Sequence, residues 1–195
     1  MTTFFGSCDD DPMPTTPPDV LLRVVSPRDA PALSRLQIRN REHLLSGAPL
    51  RTEQWMSVQG QREVIAQGLA ELRADHQVPL VIEADGELVG RLTLSGVTRG
   101  ALQSAALGYW VSEHATGRGI ATAAVRRIVD IAFGPLRLHR LQAEVLVGND
   151  ASVRVLEKNG FVQFGLAPQY LEVGGSWGDF RMFQLINGAW GAEGA

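Results

Sequence analysis

Apolar residues recur along this chain with two different periods, and the places where the period changes divide it into elements. Residues 20–25, Val-Leu-Leu-Arg-Val-Val, read as a strand closed by the turn pair Ser26-Pro27. Over residues 28–41, Ala30, Leu33 and Leu36, with Ile38 beside them, recur at near-helical spacing, and residues 52–74 continue as a second helical region. Gly47, Ala48 and Pro49 separate the two. Two apolar strands follow, 79–84 and 87–94, joined by Asp85-Gly86, a pair suited to a two-residue hairpin turn. A third strand, 105–111, leads through a glycine-bearing loop into a helix that runs to about Phe133, with Ile120, Ala124, Ile128 and Ile131 on its apolar face. Beyond Pro135, residues 139–147 read as a buried strand and 149–159 as a short helix ended by Gly160. Residues 162–172 and 176–186 then form a hairpin across Gly174-Gly175. The order is strand, two helices, three strands, helix, strand, helix, two strands, which implies a mixed sheet covered by helices.

A chain of 195 residues can bury one good core and is short for two, so residues 20–189 read as one domain. Residues 1–19 carry Asp9, Asp10, Asp11, Asp19 and four prolines, which resist packing, and are expected to form a disordered or loosely docked tail; residues 190–195 form a second tail. Taking those four acids from the total of 21 leaves 17 against 18 bases. Such a balanced body lacks the surplus of a general nucleic-acid binder. No apolar run approaches the roughly 20 residues that span a bilayer, and no secretory signal is visible, which favours the cytoplasm. One cysteine, Cys8, excludes an internal disulfide, and four scattered histidines make no metal cluster.

The most informative stretch runs from Leu107-Gly108-Tyr109-Trp110-Val111 through Thr116-Gly117-Arg118-Gly119-Ile120-Ala121. A glycine loop entering a helix offers unpaired N–H groups at the positive end of the helix dipole, a physical basis for holding a pyrophosphate. Taken alone, Gly-x-Gly fits a plain strand-to-helix turn equally well. In company with Asn149-Asp150-Ala151-Ser152, Glu157-Lys158-Asn159-Gly160-Phe161 and Asn40-Arg41-Glu42-His43-Leu44, however, it closely resembles the GNAT acetyltransferases, and particularly their ribosomal-protein N-terminal acetyltransferase branch, RimJ/RimL. The resemblance spans about residues 21–186 and departs at His114, where Arg or Gln is frequent in that superfamily.

That resemblance implies an α/β (α+β) GNAT fold: a mixed, mostly antiparallel sheet of about seven strands flanked by helices, with two central strands splayed apart. It implies acetyl-CoA as cofactor. The diphosphate would rest on main-chain amides of Thr116, Gly117, Arg118, Gly119, Ile120 and Ala121, with Arg118 as counter-charge. The pantetheine arm would lie between the strands around Trp110-Val111 and Val145, pairing with their free backbone groups, with Asn149 beside it. Glu144 falls where several members have a general base, and burial would raise its pKa toward usefulness; a structural ion pair or an exposed strand carboxylate is the plain alternative. Ser152 would stand near the sulfur as proton donor, because Leu156 occupies the place of the tyrosine used by many members, with Tyr109 second to it. Asn149 and Ser152 also read simply as a helix cap and first turn. A backbone N–H of Trp110 or Val111 is expected to meet the oxyanion.

Glu42, His43, Arg51, Tyr109, Trp55, Tyr170 and Trp177 are candidates for the acceptor side, although such aromatics more often pack a core. The expected activity is direct transfer of acetyl to a primary amine, foremost a protein N-terminal α-amine such as that of a ribosomal protein. A small amine acceptor (aminoglycoside, polyamine or metabolite) and a non-catalytic CoA-binding module are the alternatives. A homodimer is left open, and neither membrane nor direct nucleic-acid contact is expected.

Overall fold

A computed structural model of the chain describes residues 18–45, 47 and 49–190. Most of the expected tails, Cys8, and Ala48 of the expected spacer lie outside the described residues. The strands are β1 (Val20–Val24), β2 (Val78–Ala84), β3 (Glu87–Thr98), β4 (Ser104–Val111), β5 (Arg140–Leu146), β6 (Val162–Val173) and β7 (Ser176–Ile186). The helices are α1 (Ala30–Arg39), α2 (Arg41–Leu45), α3 (Glu53–Met56), α4 (Val58–Arg73), α5 (Ile120–Phe133) and α6 (Asp150–Lys158). They build one seven-stranded sheet in the order β1-β2-β3-β4-β5-β7-β6, antiparallel throughout except between β4 and β5.

Both faces of the sheet are covered, and burial follows the strand period. Ile82, Leu92, Leu94, Leu141 and Val145 join Ile120, Val125 and Ile128 of α5 in the larger core. Val81 points the other way and packs with Val25, Ala30, Leu33 and Ile65 beneath α1 and α4. This is why β2 is apolar along nearly its whole length. In β5 the alternation is complete: Leu141, Ala143 and Val145 are buried, while Gln142, Glu144 and Leu146 are half-buried on the opposite face.

The parallel contact is short. β4 and β5 pair only at Ser104 with Arg140, Ala105 with Leu141 and Ala106 with Gln142, whereas β4 stays in register with β3 as far as Val111. β5 meanwhile follows β7 as far as Leu146. Residues 107–111 and 143–146 therefore part company, and the expected splay is present.

The helices are more broken than the periodicity predicts. The region expected as one helix over 52–74 is split at Ser57, whose ψ of 162° is extended. Its hydroxyl donates to the Gln54 carbonyl and accepts from the Gly60 amide, capping both pieces. Glycine is required at position 60, because a Cβ there would stand 2.2 Å from the Gln54 carbonyl oxygen. Likewise the helix expected over 28–41 ends at Arg39, where the buried Asn40 turns its side chain into a tertiary network. β3 runs past the expected Leu94 to Thr98, resuming its pairing with Ser104 after an irregularity that begins at Ser95.

Candidate active site

The glycine loop ends in α5, and its geometry is that of an open anion cradle. Gly117 and Gly119 have φ of 75° and 79°, in the left-handed region that glycine enters without strain. A Cβ built on either would meet nothing within 4 Å, so the loop faces open space. No side chain caps α5 and its first turn carries no acid, leaving its leading amides and the positive dipole end uncompensated. These residues border a cleft of about 440 Å³ whose lining also includes Lys158 and Arg154 from α6 and His43 from α2.

A second cleft, of about 350 Å³, opens beside the first and is lined by Glu144, Arg91, Thr93, Arg51, Trp55 and Gln37 among others. Tyr109, Trp110, Asn149, Ser152 and Gly47 line both. The clefts thus meet at the gap where β4 leaves β5. Gly108, whose added Cβ would touch nothing within 4 Å, keeps the second cleft open on this face.

At the junction, Asn149 caps α6 by accepting from the Ser152 amide at 3.1 Å. The Ser152 hydroxyl lies 2.9 Å from the Tyr109 phenol, making a two-hydroxyl pair. Burial pushes the Tyr109 pKa up to about 12, partly offset by the Ser152 hydrogen bond, so the phenol keeps its proton at neutral pH. Burial also pushes the Glu144 carboxyl above the ordinary carboxylate range, opposed in part by a backbone hydrogen bond. Glu144 forms no salt bridge among the described residues.

The end of β4 is tied to α1 by a buried polar knot that the motifs did not disclose. Asn40 Nδ2 donates to Leu36 O and Ser112 Oγ at 2.8 Å each, and Asn40 Oδ1 accepts from the Glu113 amide, also at 2.8 Å. Ser112 Oγ reaches His114 Nδ1 at 2.9 Å, so His114 serves this knot and does not line either cleft. Asn40→Ala would leave buried donors and acceptors unpaired, at a cost of about 2–3 kcal/mol. Thermal melting should then show a midpoint lower by roughly 5–10 °C for a chain of this size.

Several expected residues stand elsewhere. Arg118 does not line the cleft; its guanidinium bonds Asp85 at 2.7 Å, so Arg154 and Lys158 are the basic side chains at the cradle. Tyr170 packs its ring against Phe180 on the β6–β7 hairpin, and Trp177, on the same hairpin, is exposed; neither lines a cleft. Glu42 is exposed on α2 and also lies outside both, whereas His43, Arg51 and Trp55 are in place. Arg91 was missed because it sits in an otherwise ordinary strand, and Asn40, quoted only as part of a motif, gave no sign of its partners; only the tertiary packing shows what each faces. No group of three or more His, Cys, Asp or Glu that could hold a metal occurs among the described residues. None of their helices is long and apolar enough to cross a membrane.

Known proteins resemble this chain in sequence and in fold. The sequence profile described as the acetyltransferase (GNAT) domain matches residues 19–162. A Bacillus subtilis protein described as "Probable N-acetyltransferase YjcK" is 35% identical over 86% of this chain and 94% of its own length. The ribosomal protein uS5-alanine N-acetyltransferase of Escherichia coli is 27% identical over 88% of this chain and 89% of its own. The solved structure of Mycobacterium smegmatis RimJ in complex with CoA-disulfide superposes with a TM-score of 0.83 at 40% identity, covering 86% of this chain and 81% of that one.

Proposed function

Because the chain belongs to the GNAT acetyltransferase family, we propose that it transfers an acetyl group from acetyl-CoA directly to the α-amine at a protein N-terminus. The observation that carries this reading is the meeting of an anion-cradling cleft and a carboxylate-bearing cleft at the gap between β4 and β5. The residues present fit the cofactor: the left-handed glycines leave room for a diphosphate against the α5 amides, and the splayed strands leave room for an extended arm. When bound, acetyl-CoA supplies a thioester with an electrophilic acetyl carbon.

The protein's own part is to position that carbon and to manage protons. Amides of the loop and of Ile120 and Ala121 hold the diphosphate, with Lys158 and Arg154 as counter-charges. Asn149 holds the arm, and an N–H of Trp110 or Val111 meets the oxygen that gains charge. An amine arrives mainly as ammonium, so a proton must be removed; Glu144 takes it from the second cleft, directly or through a water.

On the other side, Ser152 Oγ, braced by Tyr109, presents its hydroxyl to the sulfur. A phenol near 12 is a weaker acid than a thiol at about 8.5, and full transfer would run uphill by about 5 kcal/mol. The pair therefore stabilises sulfur charge by hydrogen bonding, and the final proton comes from solvent.

The name of the Escherichia coli relative, a ribosomal protein uS5-alanine N-acetyltransferase, supports a protein N-terminus as acceptor. The test measures CoA release with a panel of short peptides, polyamines, aminoglycosides and amino acids. Peptides turned over with the highest kcat/KM support the reading. A small amine preferred tenfold or more would replace the acceptor, and acetyl-CoA binding with no turnover of any amine would point to a binding module.

A further inference from the structure

The chemistry above uses neither Arg91 nor Arg51, the two arginines of the second cleft. Arg91 stands on β3 opposite Trp110, two residues from Thr93, which stands opposite Gly108, so all four share the sheet face that looks into this cleft. Its Nε is buried with no hydrogen-bond partner, and it forms no ion pair among the described residues. A guanidinium in that position is costly to the fold unless an anion meets it. Arg51 enters the same cleft and is steadied over the Trp55 ring at 4.6 Å. Burial and then the charge of Arg51 depress the Arg91 pKa, and no carboxylate among the described residues counters them. Glu144 is the one acid among the described lining residues, and neither arginine contributes to its shift.

We propose that Arg91 and Arg51 form an anion subsite of the acceptor cleft, and that the preferred acceptor is an amine with a carboxylate close to it. This inference rests on the reading of the second cleft as the acceptor site. The guanidinium fork of Arg91 suits a carboxylate, which would satisfy the orphaned donor and balance the second cation. Polyamines and aminoglycosides, which bring only positive charge, are disfavoured by the same pair. The carboxylate has two available sources, an acidic side chain near a peptide N-terminus or the α-carboxylate of a free amino acid.

Two matched pairs of acceptors separate these sources: Ala-Asp against Ala-Asn peptides, and L-alanine against alaninamide. In the wild-type enzyme kcat/KM should favour the acidic member of at least one pair by about ten- to a hundredfold, the worth of a charge-assisted hydrogen bond. In Arg91→Met that ratio should fall to about one, and Arg91→Lys should recover part of it. A melting midpoint for Arg91→Met at or above that of the wild type certifies its fold. Equal kcat/KM within both pairs, or a preference that survives Arg91→Met, overturns the subsite.

If no amine is turned over, the transfer reading fails, and calorimetry with the acetylated peptides decides the subsite separately. Tighter binding of N-acetyl-Ala-Asp than of N-acetyl-Ala-Asn, lost in Arg91→Met, supports it. Equal binding, or none, overturns it.

Discussion

Glu144→Gln is expected to lower kcat by about a hundredfold while leaving the affinity for acetyl-CoA nearly unchanged, the ordinary consequence of removing a positioned base. Gln keeps the size of the side chain and loses only the ability to take a proton. The pH profile makes the role visible. The folded carboxyl titrates above the usual carboxylate range because burial disfavours its charged form. Below that raised pKa the wild-type enzyme holds Glu144 protonated and should slow toward the variant; above it the two should diverge. A variant as fast as wild type across the whole range would remove Glu144 from the mechanism.

Stability should move in the opposite sense. A carboxyl whose pKa is raised on folding favours the folded state below its unfolded pKa, and that contribution is lost as pH rises through the folded value. Glu144→Gln should therefore melt no lower than wild type at neutral pH, with the difference closing in acid. Reduced activity together with preserved or improved stability is difficult to explain by a structural role.

Gly119→Val is expected to weaken acetyl-CoA binding by about 10²–10³-fold in calorimetry, the loss of one or two charge-assisted amide contacts. The branched side chain would enter the space in front of the loop, where no protein atom lies within 4 Å of its Cβ. Its φ of 79° adds a separate cost of about 1–2 kcal/mol for any residue with a Cβ. Melting measures that cost by itself, and Gly119→Ala, which bears a similar backbone penalty with less bulk, gives the comparison. Retained affinity in a folded Val variant would mean that the diphosphate lies elsewhere.

Much of the fold was legible because period and punctuation agree locally. Asp85 and Gly86 both have positive φ, as the two-residue turn demands, and Asn149 caps a helix followed by Gly160 at φ 81°. β5 was legible only as a buried strand; which of its faces is buried, with Leu141, Ala143 and Val145 on it, came from the structure. The glycine loop was equally legible, since left-handed backbone and a helix start are properties of consecutive residues. Arg118 shows where such reading stops: its neighbours in sequence suggest a phosphate contact, but Asp85, 33 residues away, receives its side chain.

From sequence by itself came the elements, the glycine cradle and a family resemblance resting on several short motifs, all of them matters of neighbours along the chain. Only tertiary structure decided where β4 parts from β5, that Ser152 meets Tyr109, that Asn40 anchors Ser112, and that Arg91 and Arg51 share a cleft with Glu144. The physical reason is that burial and pairing belong to three-dimensional neighbours. A carboxyl shifts its pKa, and a guanidinium loses its partners, according to what the sheet register and helix packing bring beside it.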